Sequence, residues 1–330
     1  MIRNATLALS LVLSVAFIAG PIATQAQQAG KMYRIGFLAG GARPPDGKPP
    51  AALRQALGEL GYADGKNVTY EGRWAEAKSE RLAKLASELV ALKVDVIVTL
   101  GGPPPEAAKR ATSSIPIVMV IAGDAVATGL IASLARPGGN VTGITDEAIL
   151  LSAKRMQLLK EAVPTAKRLA VLWNADDRAM TLRYQEIQKA ARALGVDVQP
   201  LGVREPDDFE VAFAAMTRQR PDALFLVADA LTFLNRKRVL DYAAAQRIPA
   251  MYEFDALVKD GGLMSYGSGI NDSLRGAATY IDKIFKGAKP SDLPVQYPTQ
   301  YYLVINLKTA KALGITIPTQ VLVRADEVIE

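Results

Sequence analysis

The sequence predicts an α/β protein of two Rossmann-like lobes, each a parallel sheet with helices on both faces. Two observations carry this. Short apolar runs alternate with amphipathic stretches from Arg34 onward, the pattern of successive βαβ units. Landmarks of the first half also recur in order in the second. Arg34 and Arg168 lie 134 positions apart, as do Gly61 and Gly195, and Asp95 precedes Asp222 by 127. The Ile115-Pro116 pair returns as Ile248-Pro249, 133 positions on. Shared order at near-constant offset reads as one architecture used twice. The alternative, a single sheet of so many strands, is uncommon.

In the first half, strands are expected at 34–38, 67–70, 94–100 and 117–121. Helices are expected at 51–60, stopped by Gly61, and at 79–92, where Leu82, Leu85, Ala86, Leu89 and Leu92 share one face. A third helix is expected at 103–112, opened by Pro103. In the second half, strands are expected at 168–173, 197–200, 222–227 and 249–252, with helices at 182–194, 207–217 and 236–245. The link runs through an Arg136-Pro-Gly-Gly-Asn140 turn, a short strand at 141–145 and a helix from about Leu150. Glycines at 261, 262, 267 and 269 mark a second place to bend between lobes, before a helix at 272–285. The chain ends with an element over 304–313 and a strand-like 321–323.

Residues 1–26 read as a secretory signal peptide. Arg3 supplies the charge, 7–22 is an uncharged apolar run, and Thr24-Gln25-Ala26 offers a cleavage site. The run is short for a membrane span and lacks a positive stop-transfer cluster. Its removal takes one arginine, lowering the formal charge from +6 to +5. That charge is dispersed, so no nucleic-acid partner is expected. The chain has no cysteine and no histidine. Disulfides and Ser-His or Cys-His nucleophiles are therefore excluded, and no metal or other cofactor is expected.

Ligands of parallel α/β sheets bind at the carboxyl ends of strands. In the first lobe this selects the loop holding Gly41, then Gly101, Gly102 and Pro103, then Gly123 and Asp124. In the second lobe it selects Asn174, Asp229, Tyr252 with Glu253, and Tyr266. Gly40-Gly41 is followed by Ala-Arg-Pro-Pro and does not make a G-x-G-x-x-G phosphate loop. The helix start at Gly102 is followed by Pro103, Pro104 and Pro105, each lacking an N–H, so a role in shape is favoured there over anion binding. Asp124 and Asp229 are candidates to receive a ligand ammonium or hydroxyl; the alternative for each is a helix cap. Trp173, Tyr252 and Tyr266 are candidates to hold an aromatic body, with ordinary packing as the alternative.

Five segments carry a resemblance: Arg73-Trp-Ala-Glu76, Leu92-Lys-Val-Asp-Val-Ile-Val98, Leu134-Ala-Arg-Pro-Gly-Gly-Asn-Val-Thr-Gly143, Gly261-Gly-Leu-Met-Ser-Tyr-Gly267 and Asn306-Leu-Lys-Thr-Ala-Lys-Ala-Leu-Gly314. Together they resemble the TrpX-type substrate-binding proteins of ABC importers, across essentially the whole mature chain. The resemblance implies a type I periplasmic-binding architecture with three crossings between lobes. Residues 32–146 and 271–299 would form lobe 1, and 147–270 and 300–330 lobe 2. It further implies a periplasmic, monomeric, non-enzymatic receptor that clamps an amino acid or an aromatic or organic acid and delivers it to a membrane permease. Gly102, Ala125 and the proline-rich first loop depart from the family's usual pattern. A ligand-sensing module for a membrane signalling partner is the alternative, and a carboxylate-based hydrolase or lyase is a third reading with no motif behind it.

Overall fold

Strand parity decides how each half is built. In the computed structural model, which describes residues 31–330, strand β1 (Tyr33–Ala39) sends Ile35 and Phe37 to one face of its sheet and Leu38 to the other. The leader expected over residues 1–26 lies outside the described residues. Helix α1 (Ala51–Glu59) follows, then β2 (Val68–Trp74), α2 (Leu82–Ala91), β3 (Val96–Leu100), α3 (Pro103–Ala111), β4 (Ile117–Val120) and β5 (Val141–Ile144). The five strands are all parallel, in the order β2-β1-β3-β4-β5. The apolar face expected for α2 is buried at Leu82, Leu85, Ala86 and Leu89.

The chain then crosses to α4 (Ala148–Ala162), β6 (Arg168–Asn174), α5 (Arg178–Ala193), β7 (Asp197–Val203) and α6 (Asp208–Arg218). Next come β8 (Ala223–Leu226), α7 (Ala230–Leu234), α8 (Arg236–Ala245), β9 (Ala250–Tyr252), α9 (Asp255–Lys259) and β10 (Met264–Ser268). It returns to the first sheet for α10 (Ile270–Phe285), whose Leu274, Ala277, Ala278, Ile281 and Phe285 are buried at helical spacing against the same core as α1. A third crossing leads to β11 (Tyr301–Asn306), α11 (Leu307–Leu313), α12 (Thr319–Leu322) and β12 (Glu327–Ile329).

The second sheet has the order β12-β11-β10-β9-β8-β6-β7, antiparallel only between β10 and β11. Here too parity divides the core. Leu169, Val171 and Trp173 of β6 face one set of helices, and Ala170 and Leu172 the other. The fold is thus α/β with two helix-covered, largely parallel sheets. Among the described residues, no helix is long and apolar enough to cross a membrane.

Several elements differ from expectation. Residues 321–323 are not a strand: Pro318 precedes the single turn of α12, which plugs Val321 into the second core, and the last strand is β12. Three apolar residues are too few to fix a period. Helices α7 and α9 each have five residues and were too short to register for the same reason. Helix α5 starts four residues earlier than Leu182, with Asp177 as its N-cap. That shift moves a carboxylate into the site.

Candidate ligand-binding cleft

The carboxyl ends of both sheets open onto one cavity of about 790 Å³. The first lobe lines it with Gly40 and Gly41 after β1, Trp74 at the end of β2, and Gly101, Gly102 and Pro103 after β3. The second lobe lines it with Asn174, Asp177 and Arg183 around the start of α5, and with Ala228 and Asp229 after β8. Phe37, Trp74, Leu100, Phe233 and Phe254 give the wall its apolar area, and the proline-rich loop adds Pro44, Pro45, Pro49 and Pro50. Trp74 lies over Gly72, where a Cβ would stand 1.9 Å from the indole, so only glycine leaves room for the ring.

Glycine also lets the lobes meet. A Cβ on Gly123, whose φ is +77°, would lie 2.9 Å from the Ala179 methyl at the start of α5. One on Gly40 would lie 2.9 Å from the Ala230 methyl. Nearby, Arg178 Nη2 donates to the Ala127 carbonyl at 3.3 Å.

Of the residues expected at the site, the cavity wall contains Gly41, Gly101, Gly102, Pro103, Asn174 and Asp229. Asp229 caps α7 through Oδ1, which accepts from Thr232 N at 2.9 Å, while Oδ2 accepts from Asn174 Nδ2 at 2.6 Å. Capping and lining coexist in this one side chain.

The structure sets the remaining five off the wall. Gly123 sits at the lobe contact just described. Asp124 is spent on its own turn, where Oδ1 accepts from Val126 N at 3.1 Å and Ala127 N at 2.8 Å. Tyr252 is 1% exposed and packs inside the second lobe against Gly262. Parity then points Glu253 the opposite way, into a buried ion cluster. There Oε1 accepts from Arg155 Nη1 at 2.9 Å, and Oε2 from Arg183 Nη1 at 2.9 Å and Ala228 N at 3.0 Å. Arg183 Nη2 donates to Asp146 at 2.6 Å, and Arg155 Nε to the Tyr266 carbonyl at 2.6 Å. Tyr266 itself is half-buried beside Tyr301. Trp173 stacks on Tyr184 with ring centroids 3.9 Å apart, so the aromatic wall comes from other residues. Because Asp124 caps its own turn and stands off the cavity wall, we expect Asp124→Ala to lower stability by about 1 kcal/mol and to leave ligand affinity unchanged, read by a melting curve and a titration on one preparation.

Asp177 is the cavity-lining carboxylate that sequence reasoning missed. Its Oδ1 caps α5, accepting from Ala179 N at 2.8 Å and Met180 N at 3.3 Å. Its Oδ2 is buried without a hydrogen-bond partner and lies 3.4 Å from where a Cβ on Gly102 of the other lobe would stand. Burial pushes the carboxyl up from 3.8 to about 6, with the nearby Asp229 charge acting in the same direction. The Met180 and Ala179 N–H groups and Arg183 pull the other way. The Asn-Ala-Asp-Asp run of 174–177 held the signal, but only the helix start distinguishes the capping Asp177 from the exposed Asp176. Arg183 is 2% exposed; burial alone lowers its pKa, and the charges of Asp146 and Glu253 more than offset this, so it is raised.

Two sheets closing on a shared, mainly apolar cavity define a two-lobed, clamp-like ligand-binding protein of the periplasmic-binding fold. The chain belongs to the ABC transporter substrate binding protein family, whose sequence model matches residues 50–329. Membership makes it a ligand binder rather than an enzyme. The chain is 27% identical over 283 residues to a tyrosine-binding protein of Clostridioides difficile (strain R20291), covering 86% of this chain and 81% of that one. It superposes with a TM-score of 0.84 on an ABC domain from Streptococcus pneumonia in complex with L-Trp, at 27% identity, covering 91% of this chain and 100% of that one. The ligand-free, open structure of a substrate binding protein with adhesive properties from Clostridium difficile gives 0.65 at 25% identity, covering 90% and 99%.

Proposed function

We propose that this chain is a periplasmic solute receptor of an ABC importer. It would act as a monomer, with lobe 1 formed by residues 32–146 and 271–299 and lobe 2 by 147–270 and 300–330. The observation that carries this reading is the single cavity walled by strand ends of both sheets. A ligand held there touches both lobes, so its binding energy favours the closed arrangement, and a membrane permease can read that arrangement. The better superposition on the L-Trp complex than on the open, ligand-free structure supports a closed geometry for this chain. The aromatic lining and the names of the relatives both favour a ligand with an aromatic or similar apolar body.

The test pairs native mass spectrometry with solution scattering. The mature protein should carry a small molecule at one per chain. Its radius of gyration should rise when that molecule is stripped under denaturing conditions and the chain refolded. A radius that is the same with and without the molecule would sink the clamp reading.

A further inference from the structure

Two carboxylates of the cavity wall lack a cationic partner, and they point to the ligand, while the nearby Arg43 lies over the Trp74 ring, 5.8 Å from its centroid. Each cationic side chain of the wall is paired with a carboxylate: Lys48 with Asp64, Arg54 with Asp46 at 3.1 Å, Arg183 with Asp146 and Glu253, and Arg236 with Asp260 at 2.8 Å. Asp177 and Asp229 are different. Their hydrogen-bond partners are neutral donors: the Ala179 and Met180 N–H groups for one, Thr232 and Asn174 for the other. Asp177 is 5% exposed, and its Oδ2 has no partner at all. Buried carboxylate oxygens are rarely left unmatched, and a bound donor is one of the explanations such an atom calls for.

The helix start on the opposite wall is a poor place for an anion. A helix N-terminus ordinarily attracts anions through its first free N–H groups. Helix α3 meets the cavity at Gly102 and Pro103, and its first three positions are Pro103, Pro104 and Pro105, which have no N–H. Just before them, the Gly101 N–H is already bonded to the Val120 carbonyl at 3.1 Å. Gly102 also faces the Asp177 carboxylate at the distance given above, so an anion at that helix start would meet a negative charge.

From these residues we infer that the cleft selects an aromatic or similarly apolar amine, with its ammonium on Asp177 and Asp229 and no site for a ligand carboxylate. This rests on the receptor reading above and narrows its ligand class. The lobe-2 acids fix the charged end. Trp74, Phe37, Phe233 and Phe254 contact the apolar body, with Trp74 and Phe37 supplied by lobe 1. An aromatic acid, one of the classes the sequence left open, would bring a second anion to an acidic pocket.

The test is calorimetric titration of the stripped, refolded mature chain at neutral pH with six probes. They are tryptamine, L-tryptophan and indole-3-propionate, and the matching phenethylamine, L-phenylalanine and 3-phenylpropionate. In at least one series the amine should bind ten- to a hundred-fold more tightly than the acid, the range expected for one charged hydrogen bond, about 1.5–3 kcal/mol. The amino acid should bind no more tightly than the amine. An acid that equals its amine, or an amino acid that exceeds it tenfold, overturns the inference and leaves the receptor reading standing. Silence from all six probes, with a co-purified small molecule still seen by native mass spectrometry, does the same. Silence together with no co-purified molecule overturns both.

Discussion

Replacing Glu253 with alanine is expected to cost about 3–5 kcal/mol of folding stability, the range for removing one partner of a buried ion pair. Glu253 is 1% exposed and accepts from Arg155, Arg183 and the Ala228 N–H. Both arginines are themselves 2–3% exposed, so their charges stay largely desolvated when the carboxylate goes. The cluster also spans the fold. Asp146 lies on the first crossing, Arg155 on α4, Arg183 on α5 beside the cavity, and the Tyr266 carbonyl on β10 ahead of the second crossing. A loss of this size is a large part of the roughly 5–15 kcal/mol that holds a typical domain together. Urea denaturation of the stripped protein measures it. Glu253→Gln serves where the alanine variant does not fold, since it keeps the shape and an acceptor for Ala228 but not the charge. A loss below about 1 kcal/mol for both variants would show that the cluster is not a structural anchor.

Asp177→Asn should do the opposite to stability and should cut affinity. Asparagine caps helices as well as aspartate does, so the bonds to Ala179 and Met180 survive. The charge does not. An amine ligand should lose about 1.5–3 kcal/mol, ten- to a hundred-fold in Kd.

The sign of the stability effect follows from the raised carboxyl. With a folded pKa of about 6 against an ordinary 3.8, the folded chain holds a proton between those values that the unfolded chain has released. Acidification through that window therefore favours the fold at Asp177, by on the order of 3 kcal/mol in full. The same amount is forgone above pH 6, where the group is ionised. Asparagine never ionises, so the variant should be more stable than the native chain at pH 7.5 and should lack this group's contribution to the slope between pH 4 and 6. Amine affinity of the native chain should likewise weaken as pH falls below 6, since protonation removes the charge that receives the ammonium. Denaturation and titration at pH 5 and 7.5 read all three effects. Unchanged amine affinity in Asp177→Asn would remove this carboxylate from the site.

Stability set against binding at one residue is the usual signature of a site held ready for a ligand. It also explains why Asp177 was not legible beforehand. From sequence, 174–177 is a polar turn after a strand, and nothing local separates Asp176 from Asp177. The helix begins at Arg178, so Asp177 becomes its cap and Asp176 is left exposed. One residue of register decides which acid meets the cavity.

The sequence alone determined the alternation of strands and helices, the doubling of the architecture and the rule that places a site at strand ends. These follow from periodicity and chain order, which are local properties. Six of the eleven expected site residues line the cavity because that rule needs only the end of a strand. Tertiary structure decided which way each side chain turns there. Tyr252 and Glu253 are neighbours after the same strand, yet parity sends one into the apolar core and the other into a buried charge cluster whose partners come from 98 and 70 positions away. Trp74 reached the cleft because β2 runs to its own last residue, Trp74, and Gly72 leaves space for the indole. Which charges of the cavity wall are paired is equally a tertiary fact. Lysines and arginines lie along the whole chain, and only the folded positions of their carboxylate partners show that Lys48, Arg54, Arg183 and Arg236 on the wall are paired.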